Sequence, residues 1–277
     1  MRFAYVTLVM LGNNYVKGAV ALAKSLHKSG TKHELVCMIT NDVTHTRELH
    51  KVFDRVVTVP YMFYKCGKFL TERQEQLYSK WIDYSFTKWR CLEMSVYDRC
   101  VYLDADQIVL RNIDHLFQWE WAMCFNGNYN ALYKSIKCGE IVTDLRNILQ
   151  NSNVLGFTGT LVFTPNSRVS NCIKYLLSEE KSELLTTPRY NNGHDEIVLA
   201  HALANCNIAV RQLSPLYVWN AGEYCVLKNN NQPYVINYYG DKKPWHHKSV
   251  FMDMYIWKYF YFCKIKRSYN KNIDFEL

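Results

Sequence analysis

"CVYLDADQIVL", residues 100–110, is the stretch on which the reading of this chain turns. An apolar, strand-like run rises to Leu103, breaks at Asp104-Ala105-Asp106, and turns apolar again. Two carboxylates interrupting such a run are costly if buried without a partner. Alternate residues of an extended chain face the same way, so Asp104 and Asp106 are expected to reach one cation. Hard oxygen ligands with open positions suit Mn2+ or Mg2+ bridging a diphosphate. A strand-end turn with two solvated acids would leave the same short signature.

The context on the amino-terminal side argues for a ligand site. Residues 3–10 read as a buried strand and Gly12-Asn13-Asn14 as a turn. Tyr15, Ala19, Leu22, Ala23 and Leu26 recur at helical spacing, predicting a helix through Lys28. Strands are expected at 34–40 and 55–60, with a short helix to about His50 between them. This alternation implies a parallel sheet with helices on its faces. In such sheets ligands bind outside the carboxyl ends of the strands, where Asp104 and Asp106 fall. Phosphatases of the haloacid dehalogenase type also place D-x-D after an apolar strand, but normally after the first; here a complete βαβαβ unit precedes it. Residues 61–79 are polar and poorly patterned and predict a mobile loop. A helix is expected over 82–97, with Phe86, Trp89, Leu92 and Val96 on one side.

Bulk properties narrow the classes. With 277 residues, 49% hydrophobic and 21% charged, the chain is ordinary for a soluble globular protein, and its 15% aromatic content argues against disorder. The net charge of +8 suits anionic partners. The basic residues are scattered except in "KIKRSYNK", residues 264–271, read as a solvated tail rather than a nucleic-acid site. The ten Cys form no CxxC pair and several sit in apolar company, as at Cys37, Cys91, Cys100 and Cys206. They are expected to be reduced thiols of a cytoplasmic protein. No stretch reaches the roughly 18 apolar residues needed to span a bilayer, and the apolar opening is read as a first strand rather than a signal peptide.

Two further constellations follow. "NNGHDEIVLAHAL", 191–203, predicts a helix whose first turn holds His194, Asp195 and Glu196, acids that favour that end of the macrodipole. "GDKKPWHH", 240–247, offers a glycine turn with lysines that can clamp a diphosphate. The aromatic segment after residue 248 predicts a helix of mixed polarity that could touch a membrane surface, but packing on the domain or against a second subunit in a homodimer is the favoured reading.

Taken in order, these blocks resemble the glycogenin-like members of glycosyltransferase family 8, which include glycogenin and the plant galactinol synthases. The resembling stretches are 4–26, 84–117, 159–165, 193–199, 214–220 and 235–245, and the chain also resembles the small glycogenin-like proteins of large insect DNA viruses. The resemblance implies a GT-A fold, a Rossmann-like, mostly parallel α/β sheet, over 1–247, with 248–277 as a C-terminal helix and tail. It also implies retaining transfer of a hexose, glucose or galactose, from a UDP-sugar to a hydroxyl acceptor, with Mn2+. Asp104 and Asp106 match the metal-binding D-x-D, and Ala105 lies between them. Thr7, Leu8 and Tyr15 match the uracil-binding end, Lys88 a donor-binding lysine, Asp195 the acid near the reacting carbon, and Gly240 and Lys243 the diphosphate turn.

The chain departs from the family pattern in three places. Asn237 stands where the family has a histidine metal ligand, Phe157 stands for an asparagine, and the loop after Leu8 is one residue longer. These departures leave open altered metal use, altered sugar choice, or a UDP-sugar-binding protein with little transferase activity. Glycogenin glucosylates its own tyrosine, and Tyr224 lies in the corresponding variable region here.

Overall fold

The structure is a computed structural model that describes residues 1–128, 130–152, 154–178, 182–186, 194–222, 232–240, 243–246 and 252–265. The first half alternates strand and helix: β1 (Phe3–Val9), α1 (Val16–Ser29), β2 (Glu34–Ile39), α2 (Thr46–His50) and β3 (Arg55–Thr58). β1 is buried from Ala4 to Val9, as a parallel strand covered on both faces should be. α1 stops at Gly30, whose φ of 83° is the left-handed cap that glycine adopts without a Cβ clash. After α3 (Glu72–Tyr78) and a 3-10 segment, Ile82–Glu93, the chain enters β4 (Arg99–Leu103) and then β5 (Gln107–Val109).

The second half contributes β6 (Ala122–Phe125), β7 (Ile141–Val142), α4 (Leu145–Ile148), β8 (Gly156–Phe163), α5 (Ser167–Ser178), α6 (Glu183–Thr186), α7 (His194–Asn205) and β9 (Val210–Gln212). It closes with β10 (Trp219–Asn220), β11 (Val235–Asn237) and α8 (Met252–Phe262). Among the described residues the main sheet runs β3-β2-β1-β4-β8-β6-β9-β7, and a small sheet runs β10-β11-β5. β1 to β4 are mutually parallel, whereas β8 is antiparallel to both β4 and β6.

Each face of the main sheet has its own core, the layering an amphipathic α/β chain requires. On one face Tyr5, Val9, Leu35 and Cys37 pack with Ala19, Leu22 and Leu26 of α1. On the other, Ala4, Val6 and Leu8 share a cluster with Phe86, Trp89 and Leu92 of the 3-10 segment and with Ile173 and Val198 of α5 and α7. A third cluster, with Ala21, Ile108, Ile236, Tyr238, Trp257 and Phe260, joins α1, the small sheet and α8. Cys37, Cys91, Cys100 and Cys206 are buried free thiols. Among the described residues no helix is long and apolar enough to cross a membrane.

Three expectations need correction. Residues 61–79 are not all loop: α3 forms behind a capping box in which Thr71 accepts from the Gln74 backbone while Gln74 accepts from the Thr71 backbone. The segment expected as a helix over 82–97 is 3-10 and ends at Glu93. Three of its large buried side chains, Phe86, Trp89 and Leu92, recur every three residues, the 3-10 period, while Val96 is exposed. Residues 104–106 are a turn rather than extended chain, because the Gln107 N–H bonds back to the Asp104 carbonyl at 3.1 Å. Gly193, Tyr224, Lys242 and the basic tail from 266 onward lie outside the described residues.

Candidate active site

The Asp104–Asp106 turn is the corner at which the chain leaves the main sheet for the small one. Three elements pin it. The Asp104 N–H donates to the Gly159 carbonyl in β8 at 2.9 Å, and the Tyr238 N–H, just past β11, donates to the Asp106 carbonyl at 3.0 Å. The Ala105 carbonyl rests against α1, where a Cβ on Gly18 would lie only 2.4 Å from it. Gly18 is thus a close-approach glycine, which accounts for its place inside a helix that it otherwise weakens.

Asp104 points to one lysine and Asp106 to another. Lys88 in the 3-10 segment donates to Asp104 Oδ1 at 3.2 Å and to the Thr158 hydroxyl at 2.9 Å. Glu196 Oε1 accepts from the Thr158 backbone at 3.0 Å and from its hydroxyl at 3.3 Å. Trp89 ties the same segment to α7 by donating to the Asp195 carbonyl at 3.1 Å. Burial pulls the Lys88 ammonium down, but Asp104, Asp195 and Glu196 more than offset it, so the group titrates above its ordinary value. Burial raises the Asp195 carboxyl to about 6, against the lowering effect of Lys88. Burial, then the charge of Asp195, raises Glu196 to about 7.

Lys243 pairs with Asp106 Oδ2 and also donates to the Tyr238 carbonyl at 2.7 Å. The approach runs through Gly240, whose φ of 84° is the left-handed turn the glycine was expected to supply. Burial raises Asp106, and Lys243 opposes it. Tyr15 closes this side: its ring lies 5.7 Å from the Lys243 ammonium and meets Trp245 edge-on at 5.3 Å.

The donor set suits a hard divalent ion of the kind that keeps most of its ligands from phosphate and water. Two carboxylates share the turn, and Gly159 leaves space beside them. A Cβ there would meet Asp104 Oδ2 at 2.9 Å and Gln107 Nε2 at 3.0 Å. That Gln107 nitrogen is fully buried with no hydrogen-bond partner among the described residues, a donor awaiting an oxygen. Asn237 sits opposite Gln107 in the strand register, and its amide nitrogen donates to Asn220 Oδ1 at 3.2 Å. Among the described residues no group of three His, Cys, Asp or Glu is placed to hold a metal, so protein carboxylates alone do not complete a site.

The fold therefore brings Asp104, Ala105, Asp106, Lys88, Asp195, Tyr15, Gly240, Lys243 and Asn237 to one edge of the two sheets. Thr7 and Leu8 are less accessible than a base-contacting role suggests, at 1% and 8% exposure, and Thr7 Oγ1 is buried with no hydrogen-bond partner among the described residues. Phe157 is partly buried against the α1-side core. Glu196, Thr158 and Gln107 were not singled out as site residues from the sequence. Glu196 had the look of a helix-start acid; its neighbour Asp195 was the available signal. Thr158 carries no sequence signal, since only the pairing of β4 with β8 brings it near Asp104, whereas Gln107 closes the Asp104 turn locally and shows its unpartnered amide nitrogen only in the structure.

The fold and this acidic, lysine-backed turn define a sugar-transferase type of molecule, and the comparisons agree. The chain belongs to glycosyltransferase family 8, whose model matches residues 6–186; Asp195, Asn237, Gly240 and Lys243 lie beyond the match. Protein R707 of Acanthamoeba polyphaga mimivirus is 34% identical over 118 residues, covering 42% of this chain and 40% of that protein. Glycogenin-1 of Oryctolagus cuniculus is 33% identical over 147 residues, 48% of this chain and 42% of the relative. The matches thus span less than half the length of these relatives. Among solved structures, the galactosyltransferase LgtC in complex with donor and acceptor sugar analogues superposes with a TM-score of 0.60 at 12% identity, covering 93% of this chain and 95% of that one. The glycosyltransferase GlyE of Streptococcus pneumoniae gives a TM-score of 0.60 at 14% identity, covering 95% and 61%. At such identities the likeness establishes the fold, which is GT-A.

Proposed function

We propose that the chain is a retaining hexosyltransferase that moves glucose or galactose from a UDP-sugar to a hydroxyl acceptor, with a divalent cation on the diphosphate. The observation that carries this reading is the Asp104–Asp106 turn, where two carboxylates meet two buried lysines at the carboxyl end of β4. Asp104 and Asp106, with the Asn237 amide oxygen, are the residues to hold Mn2+ or Mg2+. When bound there, the ion neutralises charge developing on the departing diphosphate. Lys243 supplies a fixed positive charge to the same oxygens, and Gly240 lets the chain turn close enough for it. Lys88 holds Asp104 in place, and Glu196 keeps Thr158 under Lys88. Asp195 orients the donor sugar or stabilises an oxocarbenium-like centre. Tyr15 borders the diphosphate end, with Thr7 and Leu8 beneath the base. The transferase unit is residues 1–247.

The test is incubation with Mn2+ and a panel of UDP-sugars, following UDP release and intact protein mass together. Metal-dependent release from a UDP-hexose is expected. Asp106→Asn should lower it by roughly 100-fold or more. A variant working at the wild-type rate would overturn the assignment. UDP-sugar binding without release would favour a binding protein, the reading to which Asn237 and Phe157 lend weight. A mass increase of one or more hexoses would place the acceptor on the chain itself.

A further inference from the structure

α8 has two apolar faces, and the fold covers only one of them. Met254, Trp257 and Phe260 are 0%, 3% and 9% exposed, the latter two within the cluster against α1 and the small sheet. Met252, Tyr255, Tyr259 and Phe262 are 70%, 59%, 61% and 74% exposed. Their spacing of three, four and three residues places them along one side of the helix. A helix at the surface of a water-soluble domain ordinarily turns charged and polar residues to that side. Here the only charge in the stripe is Lys258, whose ammonium lies 5.5 Å from the Tyr255 ring centroid. The single acid of the helix, Asp253, is turned inward, 1% exposed, and accepts from the Gly222 N–H at 2.6 Å. The sequence that follows adds Lys264, Lys266, Arg267 and Lys271 before the next acid, Asp274.

We propose that this stripe docks onto an anionic lipid surface. Tyrosine and phenylalanine beside lysine are suited to the headgroup layer, where a ring is buried while a hydroxyl or ammonium stays wet. Anionic headgroups complement Lys258 within the stripe and the exposed Lys264 just past it. A second copy seated on the same stripe would add a second Lys258 and Lys264 with no exposed acid of the helix to meet them, which like-charge repulsion disfavours. α8 has 11 residues, too few to cross a hydrocarbon core of roughly 30 Å, so it lies on the surface. The docked helix touches the site: Trp257 packs on Trp245 at 5.6 Å, and Trp245 on Tyr15 at 5.3 Å. Docking therefore holds the Lys243 turn close to the lipid surface.

Co-sedimentation of the full chain with vesicles tests this. The chain should pellet with phosphatidylcholine–phosphatidylserine vesicles and much less with phosphatidylcholine alone, and added salt should weaken the binding. Combined Tyr255→Ser, Tyr259→Ser and Phe262→Ser should reduce partitioning at least tenfold, and Lys258→Gln about fivefold. The unfolding midpoint reports whether these exposed substitutions leave the fold intact, and any variant that has lost it is replaced by the single Phe262→Ser. Failure to bind anionic vesicles, equal binding to both vesicle types, or undiminished binding by the substituted chain would overturn the proposal. So would a dimer seen by light scattering that the same substitutions dissociate, which would make the stripe a subunit interface.

Discussion

Replacing Lys88 with methionine would remove a cation that Asp104, Asp195 and Glu196 share, while keeping a side chain of similar length. Breaking a buried ion pair by deleting one partner costs about 3–5 kcal/mol, because the other charge is left uncompensated. Lys88 is 8% exposed at the side chain, but Asp104 is 38% exposed and can rehydrate. The uncompensated charge falls chiefly on Asp195 and Glu196, and a discounted loss of about 2 kcal/mol is expected near pH 8. The loss should depend on pH in a defined direction. In the folded chain these two carboxyls titrate near about 6 and about 7, raised mainly by burial. Between the ordinary carboxylate range and those values the folded chain holds more protons than the unfolded chain, so stability falls as pH rises through that window. Lys88 lowers both groups, and its removal moves the window upward. The cost of Lys88→Met should therefore be largest above about pH 7 and shrink toward about pH 5, where the carboxyls are already protonated. Urea unfolding at a series of pH values, read as the midpoint at constant slope, measures it. A difference below about 0.5 kcal/mol near pH 8, or one that does not change with pH, would refute the shared-cation account.

Two other substitutions probe how the site is held. Gly18→Ala would normally stabilise a helix by about 1 kcal/mol. Here the new Cβ would lie 2.4 Å from the Ala105 carbonyl and 2.8 Å from Trp245, so a loss of about 2 kcal/mol is expected; a higher thermal midpoint would contradict the close approach. Thr71→Ala removes the cap of α3 and should cost about 1 kcal/mol locally, seen as faster amide exchange over 72–78 with the global midpoint little changed. Unchanged exchange there would show that the capping box does not hold α3.

The first half of the fold was legible because strand, turn and helix each carry a local period. β1, α1, β2 and β3 begin within a residue or so of where the apolar spacing places them. The 3-10 segment was misread because Phe86, Trp89 and Leu92 fit both a loose helical stripe and a strict period of three. α3 was missed although Thr71-Glu72-Arg73-Gln74 carries the capping-box pattern, since its polar composition offers no apolar stripe. Asp195 was read as a site acid and its neighbour Glu196 was not, because only the approach of Thr158 from β8 gives Glu196 a role.

By itself the sequence determined that an α/β sheet would deliver Asp104 and Asp106 to its carboxyl edge, because apolar periodicity and strand ends are local properties. Tertiary structure alone decided how those two charges are met. The chain turns a corner between them, so each is met by a different lysine. Asp104 goes to Lys88, 16 residues back, and Asp106 to Lys243, 137 residues ahead. A buried carboxylate must be compensated by whatever charge the packing brings near, and sheet pairing and helix docking choose that partner.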